Sequence, residues 1–312
     1  MERIWGGRKL ADLFGKELPA GKRIGESWEI VDRPEAQSIV ARGPLKGNTL
    51  HELWTEERSS IFGEVHDAPR FPLLIKLLDA HDRLSLQVHP PVRIARKLGG
   101  EPKTEFWYVA AADTGAELLL GLHDAITRDQ FETALREGTA ADYAHKVRVK
   151  PGDTAFLPAG RLHAISPGNL LIEIQQNSDT TYRVFDWNRV DAKTGRPRDL
   201  HVEQALASTN FGHGPVRPIA PTELPLPTPA GGTLRVLDCP YFRFRYAVLT
   251  DYVTLPPIWE GRILIPLRGK LTLSYRAAEA DWDANDVALI PSHEEVVCVP
   301  EGAVSLLEIQ MK

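Results

Sequence analysis

The strongest constraint on this fold is that the chain carries one β-unit twice. "PGDTAFLPAG" is followed by "NLLIEIQQN", and further on "ANDVALIPSH" is followed by "VSLLEIQMK". Pro158 and Pro291 lie 133 residues apart, and Glu173 and Glu308 lie 135 apart. Turn, strand, proline and a closing Glu-hydrophobic-Gln strand therefore recur in nearly one register, and duplication of a β-unit explains this economically. Elsewhere the apolar residues mostly follow the period of strands, with proline and glycine punctuation about every ten residues. The expectation is a mainly β protein with two related β-domains.

Three stretches carry helical spacing instead. In "NTLHELWTEERSSIFG" (48–63) the apolar positions are Leu50, Leu53 and Trp54, with Asn48 or Thr49 as cap. "TRDQFETALREG" (127–138) has Thr127 as cap, a Phe131, Ala134, Leu135 stripe and Gly138 as stop. A third helix is expected from Leu200 to Ser208. After it, six prolines fall between Pro215 and Pro229, a density that suits an extended connector and not a sheet interior. This reading divides the chain into an N-terminal domain with helical additions (1–212), a connector (213–232) and a C-terminal domain (233–312).

A net charge of -5 argues against a sequence-independent grip on nucleic acid, which needs a concentrated basic surface. The two cysteines, Cys239 and Cys298, fit neither a disulfide framework nor a Cys-rich metal site, which points to a reducing compartment. "MERIWGGRKL" has no apolar run of signal length, and nowhere do about 18 apolar residues follow one another. A cytoplasmic protein without a membrane partner is expected, as a monomer or homodimer.

Polar residues then pick out a site in the first copy. In "LSLQVHPP" Gln87 and His89 are two apart and share one strand face, while Leu86 and Val88 take the other. Glu105 in "KTEFWYV" and His163 in "PAGRLHAI" complete a set of two imidazoles and two oxygen donors. Such a set suits zinc, and also iron, manganese or nickel. The second copy has "EEVVCV" where the first has "GRLHAI", so only one copy can host the site. His81, His123, His145, His201 and His213 lie near turns or helices and are read as solvated.

The spacing Gly152, Pro158, Gly160, His163 resembles the second motif of the cupin superfamily, which implies two jelly-roll β-barrels, a bicupin with a few helices on its N-terminal half. The 15 residues between His89 and Glu105 exceed the usual spacing of the first cupin motif. More specifically, "IWGGRKL", "GESWEI", "FPLLIKLLDAHDRLSLQVHPP", "PKTEFWYV", "PGDTAFLPAGRLHAI" and "QNSDTTYRVFDW" together resemble the type I mannose-6-phosphate isomerases in their short bacterial form. The resemblance implies one zinc on Gln87, His89, Glu105 and His163. It also implies a catalytic Arg183, pocket roles for Lys103, Glu173 and Asp179, and pocket lining by Lys76 and Trp5. One departure is Pro102, where longer members carry a histidine before the lysine.

The implied reaction interconverts mannose 6-phosphate and fructose 6-phosphate by moving a proton between C1 and C2. Lys103, Glu173 and Asp179 stay open as proton-transfer groups, and Lys103, Arg183, Lys76 and Arg161 as partners of the phosphate. Rival readings are an isomerase of another sugar phosphate, a different metal-dependent cupin enzyme such as an oxygenase, against which Gln87 and "NSDTTYR" speak, and a non-catalytic metal-containing cupin that binds sugar phosphates.

Overall fold

The structure is a computed structural model that describes residues 1–64, 68–190, 195–219, 233–275, 278–282 and 286–312. It divides into two compact units. The first comprises Met1–Ala11, Glu17–Ser27 and Ile75–Ile219, and the second Asp12–Lys16, Trp28–Leu74 and Ala220–Lys312. This grouping is not linear in sequence. Trp28–Leu74 joins the C-terminal residues, whereas the sequence places one boundary after residue 212.

Two five-stranded sheets build most of the first unit. One runs, in spatial order, Thr154–Leu157, Glu105–Ala112, Asn169–Gln176, Leu73–Ala80 and Glu26–Ile30. The other runs Tyr182–Phe185, Leu86–Val88, His163–Ile165, Glu117–Leu122 and Ala144–Arg148. Trp107, Val109 and Leu171 from the first sheet share one buried cluster with Leu118, Leu120 and Ile165 from the second, so the sheets pack face to face. The outer face of the second sheet offers Leu86, Val88 and Val184, which pack with Phe131, Leu135, Ala205 and Leu206 of two helices.

Local chemistry explains those helices. Arg128–Glu137 starts on a Thr127 capping box closed by Gln130 and ends on Gly138 in the left-handed conformation. The third expected helix spans Val202–Ser208. Two short helices, Lys9–Phe14 and Val92–Leu98, were not anticipated, because neither presents a full amphipathic repeat. The first expected helix is split into Leu50–Glu56, capped by Thr49, and Arg58–Ile61. It belongs to the second unit, where Trp54, Phe62 and Phe71 pack with ring centroids 5.1–5.5 Å apart.

The second unit also layers two sheets. Thr233–Asp238, Phe242–Leu249, Val304–Met311, Arg262–Arg268 and Ala288–Ile290 form one, and Val253–Leu255, Val296–Pro300, Leu271–Tyr275 and Ala278–Trp282 the other. Ala247, Leu264 and Leu306 meet Leu273, Val296 and Cys298 between them.

No closed barrel is present among the described residues, which corrects the barrel geometry expected from the motif. Strands as short as Leu86–Val88, and register shifts at Leu119/Leu122 and Arg183/Phe185, interrupt the ladders that closure would extend. The proline-rich connector begins as part of the first unit. The Val216 N–H donates to the Leu120 carbonyl, and Ile219 forms an antiparallel bridge with Thr154. Residues 220–232 lie outside the described ones. Among the described residues no helix is long and apolar enough to cross a membrane.

Candidate metal centre

Strand registers bring the site together from opposite sheets of the first unit. Gln87 is directly opposite His163 on one side and Arg183 on the other. Side chains of directly opposed residues leave an antiparallel pair on the same face. Arg183, Gln87 and His163 thus form a row across three adjacent strands. Leu86 and Val88 point the other way into the helix-covered core, as the alternation predicts. The facing sheet contributes Glu105 and Trp107 from one strand, with Glu173 opposite Trp107.

His163 is delivered by the turn after Pro158. Gly160 there has a φ of 89°, and a Cβ on it would sit 3.0 Å from the Ser208 carbonyl oxygen, so the turn requires glycine.

His89, Glu105 and His163 are all buried, and their donor atoms lie within 4.8 Å of one another. This is the one such group among the described residues. Glu105 Oε1 is 3.1 Å from His163 Nε2, and Oε2 is 3.3 Å from His89 Nε2. Gln87 completes the set with its amide 3.2 Å from His163 Nε2. A half-turn of that amide presents its oxygen instead, and the Ser85 hydroxyl can serve either arrangement.

The outward nitrogens fix the tautomers. His89 Nδ1 is 2.9 Å from the Thr180 carbonyl and His163 Nδ1 is 2.9 Å from the Arg161 carbonyl, so each Nδ1–H donates outward and each Nε2 lone pair faces Glu105. Burial pushes the His89 imidazole down to about 3 and lowers His163 as well, which keeps both rings neutral. Burial alone would raise the Glu105 carboxyl, but the Lys103 ammonium 2.8 Å away outweighs it and holds it well below the usual range. Apart from the Lys103 ammonium, neither Glu105 oxygen has a hydrogen-bond donor. A buried carboxylate, two imidazole lone pairs and an amide converge here, and this donor set could hold a borderline divalent ion.

Charge continues outward from this cluster. Lys103 Nζ is also 3.3 Å from His89 Nε2 and 3.5 Å from Glu173 Oε1. Glu173 accepts from Trp107 Nε1 at 2.8 Å, and burial raises its carboxyl. Lys76 lies 4.0 Å from both Glu173 and Asp179, and Asp179 is about half exposed.

The remaining expected residues sit further out. Arg183 shares the sheet face of Gln87, and its Nη1 donates to the Asp199 carbonyl at 2.7 Å. Arg161 donates to the Gly214 carbonyl at 3.4 Å and orients His163 through its own carbonyl. Trp5 is buried in the core that contains Trp107. His201 is not simply solvated, since its Nδ1 accepts the Arg183 backbone N–H.

Sequence reasoning missed Trp107, which also meets the His163 ring edge-on at 5.3 Å, although its place two residues after Glu105 marks the same face. Gln175 was missed as well. It is buried and donates to the carbonyls of Gln176 and Ser178, which anchors the loop carrying Asp179 and Thr180.

Comparison with known proteins bears directly on this centre. The family described as "Phosphomannose isomerase type I, catalytic domain" matches residues 1–123. The "Probable mannose-6-phosphate isomerase GmuF" of Bacillus subtilis (strain 168) is 43% identical over 214 residues, 68% of this chain and 66% of that protein. "Mannose-6-phosphate isomerase ManA" of the same organism is 44% identical over 207 residues, 66% of this chain and 64% of its own length. These alignments thus span just under two thirds of the relatives. The crystal structure of the mannose 6-phosphate isomerase from Bacillus subtilis superposes with a TM-score of 0.89 at 31% identity, covering 99% of this chain and 96% of that one. The apo form from Salmonella typhimurium, at 16% identity and a TM-score of 0.73 over 100% and 97% of the two chains, shares the fold. On the full-length structural match and the aligned relatives, this chain belongs to the type I phosphomannose isomerases, a family of enzymes.

Proposed function

We propose that this chain interconverts mannose 6-phosphate and fructose 6-phosphate, with one zinc ion held by Gln87, His89, Glu105 and His163. The observation that carries the reading is the convergence of the buried Glu105 carboxylate with the Nε2 lone pairs of two neutral imidazoles. Two cupin-type domains remain the architecture we assign to the duplicated units. The buried, unpaired Cys239 and Cys298 suit a reducing cytoplasm.

The reaction transfers a proton between C1 and C2 of the sugar through an enediol-type intermediate. Bound zinc supplies an electrophile that polarises the sugar carbonyl. The protein supplies the proton chemistry and the orientation. Lys103, held as an ammonium between Glu105 and Glu173, donates toward substrate oxygen. Glu173 is the proton-transfer group we favour, because burial raises its carboxyl while Trp107 fixes one oxygen and leaves the other toward the lysines. Asp179 stands at the exposed side of this cluster and serves as the second acidic group. Lys76, Arg161 and Trp5 belong to substrate binding, and Arg183 orients the substrate and stabilises oxyanion charge through a fork of fixed donors.

The test separates metal from chemistry. Arg183→Ala and Glu173→Gln should keep near-stoichiometric zinc while kcat falls by roughly 100-fold or more. Near-normal turnover in both variants refutes the catalytic assignment, whatever the metal content.

A further inference from the structure

The two units share more than strand order. In the first, Leu157 pairs with Glu105 and Glu105 with Gln175; in the second, Ile290 pairs with Arg262 and Arg262 with Gln310. Leu157 and Ile290 each precede a proline, Pro158 and Pro291. Glu173 stands opposite Trp107, and Glu308 stands opposite Leu264. In the other sheets Gln87 pairs with His163, and Leu255 with Val296, where His163 and Val296 are each the fifth residue after that proline. The registers of Gln87, Glu105 and His163 are therefore filled by Leu255, Arg262 and Val296. Pro257 stands two beyond Leu255, as His89 stands two beyond Gln87.

We propose that Arg262 is a built-in substitute for the metal centre: it supplies to the second unit, as one guanidinium, the single net positive charge that Glu105 and a divalent ion supply together in the first. Three observations support this. Arg262 is 2% exposed and donates through Nη1 to Glu308 Oε1 at 3.2 Å and through Nη2 to the Pro256 carbonyl. Gln310 Nε2 donates to the same Glu308 oxygen at 2.7 Å. Arg245 lies 3.5 Å from Glu308 Oε2, much as Lys76 lies 4.0 Å from Glu173. Of the two cations on Glu308 only Arg262 is fully buried with it, Arg245 being about a third exposed, and Leu255 and Val296 have no lone pair to offer an ion. The second unit accordingly holds its inner sheet faces together without metal and takes up none.

The comparison with the first unit rests on the metal reading above, whereas the role of Arg262 within its own unit does not. Hydrogen exchange on the full chain separates the two, with zinc per chain counted alongside. Chelation should lower protection of the strands carrying Gln87, Glu105 and His163 and leave Arg262–Arg268 and Val304–Met311 unchanged. Arg262→Gln should lower protection of those last two strands by roughly 100-fold while zinc stays near one per chain. Unchanged protection in Arg262→Gln overturns the assignment with the metal reading intact. Two zinc ions per chain, or loss of second-unit protection on chelation, overturns it as well. A wild-type chain that retains no zinc and shows no chelator effect overturns the metal reading instead. Where Arg262→Gln fails to fold, the Arg262→Gln/Glu308→Gln pair decides: removing both charges should restore folding, and failure to restore it counts against the assignment.

Discussion

Glu105 has no exposed surface and stands against two neutral imidazoles and the Lys103 ammonium, which keeps it ionised and able to hold a cation. Glu105→Gln should weaken zinc binding by more than about 100-fold, beyond the effect of losing an outer-shell partner. Equilibrium dialysis at fixed pH measures this directly. Acid should act in the same direction on the metal-free protein. His89 is pushed down from 6.5 to about 3, so between those values the unfolded chain binds a proton that the folded chain lacks. His89 therefore contributes stability that is lost as pH drops below about 6.5, and denaturant titrations at pH 7 and pH 5 should show a lower midpoint at pH 5 where this loss outweighs the opposite contribution of the raised Glu173 carboxyl. Gln87, His89 and His163, three of the four proposed ligands, could be grouped from sequence because "QVH" and "PAGRLH" place side chains by strand parity and turn spacing, and Glu105 joined them through "KTEFWYV". What orients them was not. The Thr180 and Arg161 carbonyls that fix the tautomers are backbone atoms with no side-chain signature, and His201 reads as an ordinary helix-flanking histidine until the Arg183 backbone is found against it.

At the level of elements, the turn from Pro158 to His163 connects local conformation to the site. Gly160 there adopts a positive φ beside the Ser208 carbonyl. Gly160→Ala should cost about 1 kcal/mol or more from the left-handed backbone alone. It should also weaken zinc binding, because His163 lies three residues on; a stable variant with unchanged zinc affinity contradicts this coupling. Helices with complete signals were readable, as Thr127 and Gly138 bound their helix at the expected ends. Lys9–Phe14 and Val92–Leu98 were not, since a helix of six or seven residues carries too few turns for a periodic stripe. Barrel closure was likewise out of reach of the sequence. The motif specifies a turn and a ligand, while closure depends on strand lengths and register shifts that non-local pairing decides.

At the scale of the molecule, the duplication was visible as spacing between Pro158 and Pro291, but the membership of Trp28–Leu74 was not, because grouping a segment with residues 200 positions away depends on tertiary packing alone. Metal should couple to global stability, since an ion that binds only the folded chain contributes about 4 kcal/mol at 1,000 times its Kd. Thermal unfolding should thus shift upward with free zinc, and the shift should vanish in His163→Ala; an equal shift in that variant places the ion elsewhere. The central claim is that the Gln87, His89, Glu105, His163 centre supports isomerisation of mannose 6-phosphate. A coupled assay of fructose 6-phosphate formation tests it most directly, on purified chain before chelation, after chelation and with zinc restored. The account predicts turnover that is lost with the chelator and returns with about one zinc per chain. Turnover that survives complete removal of metal, or its absence from the zinc-loaded chain, would contradict it.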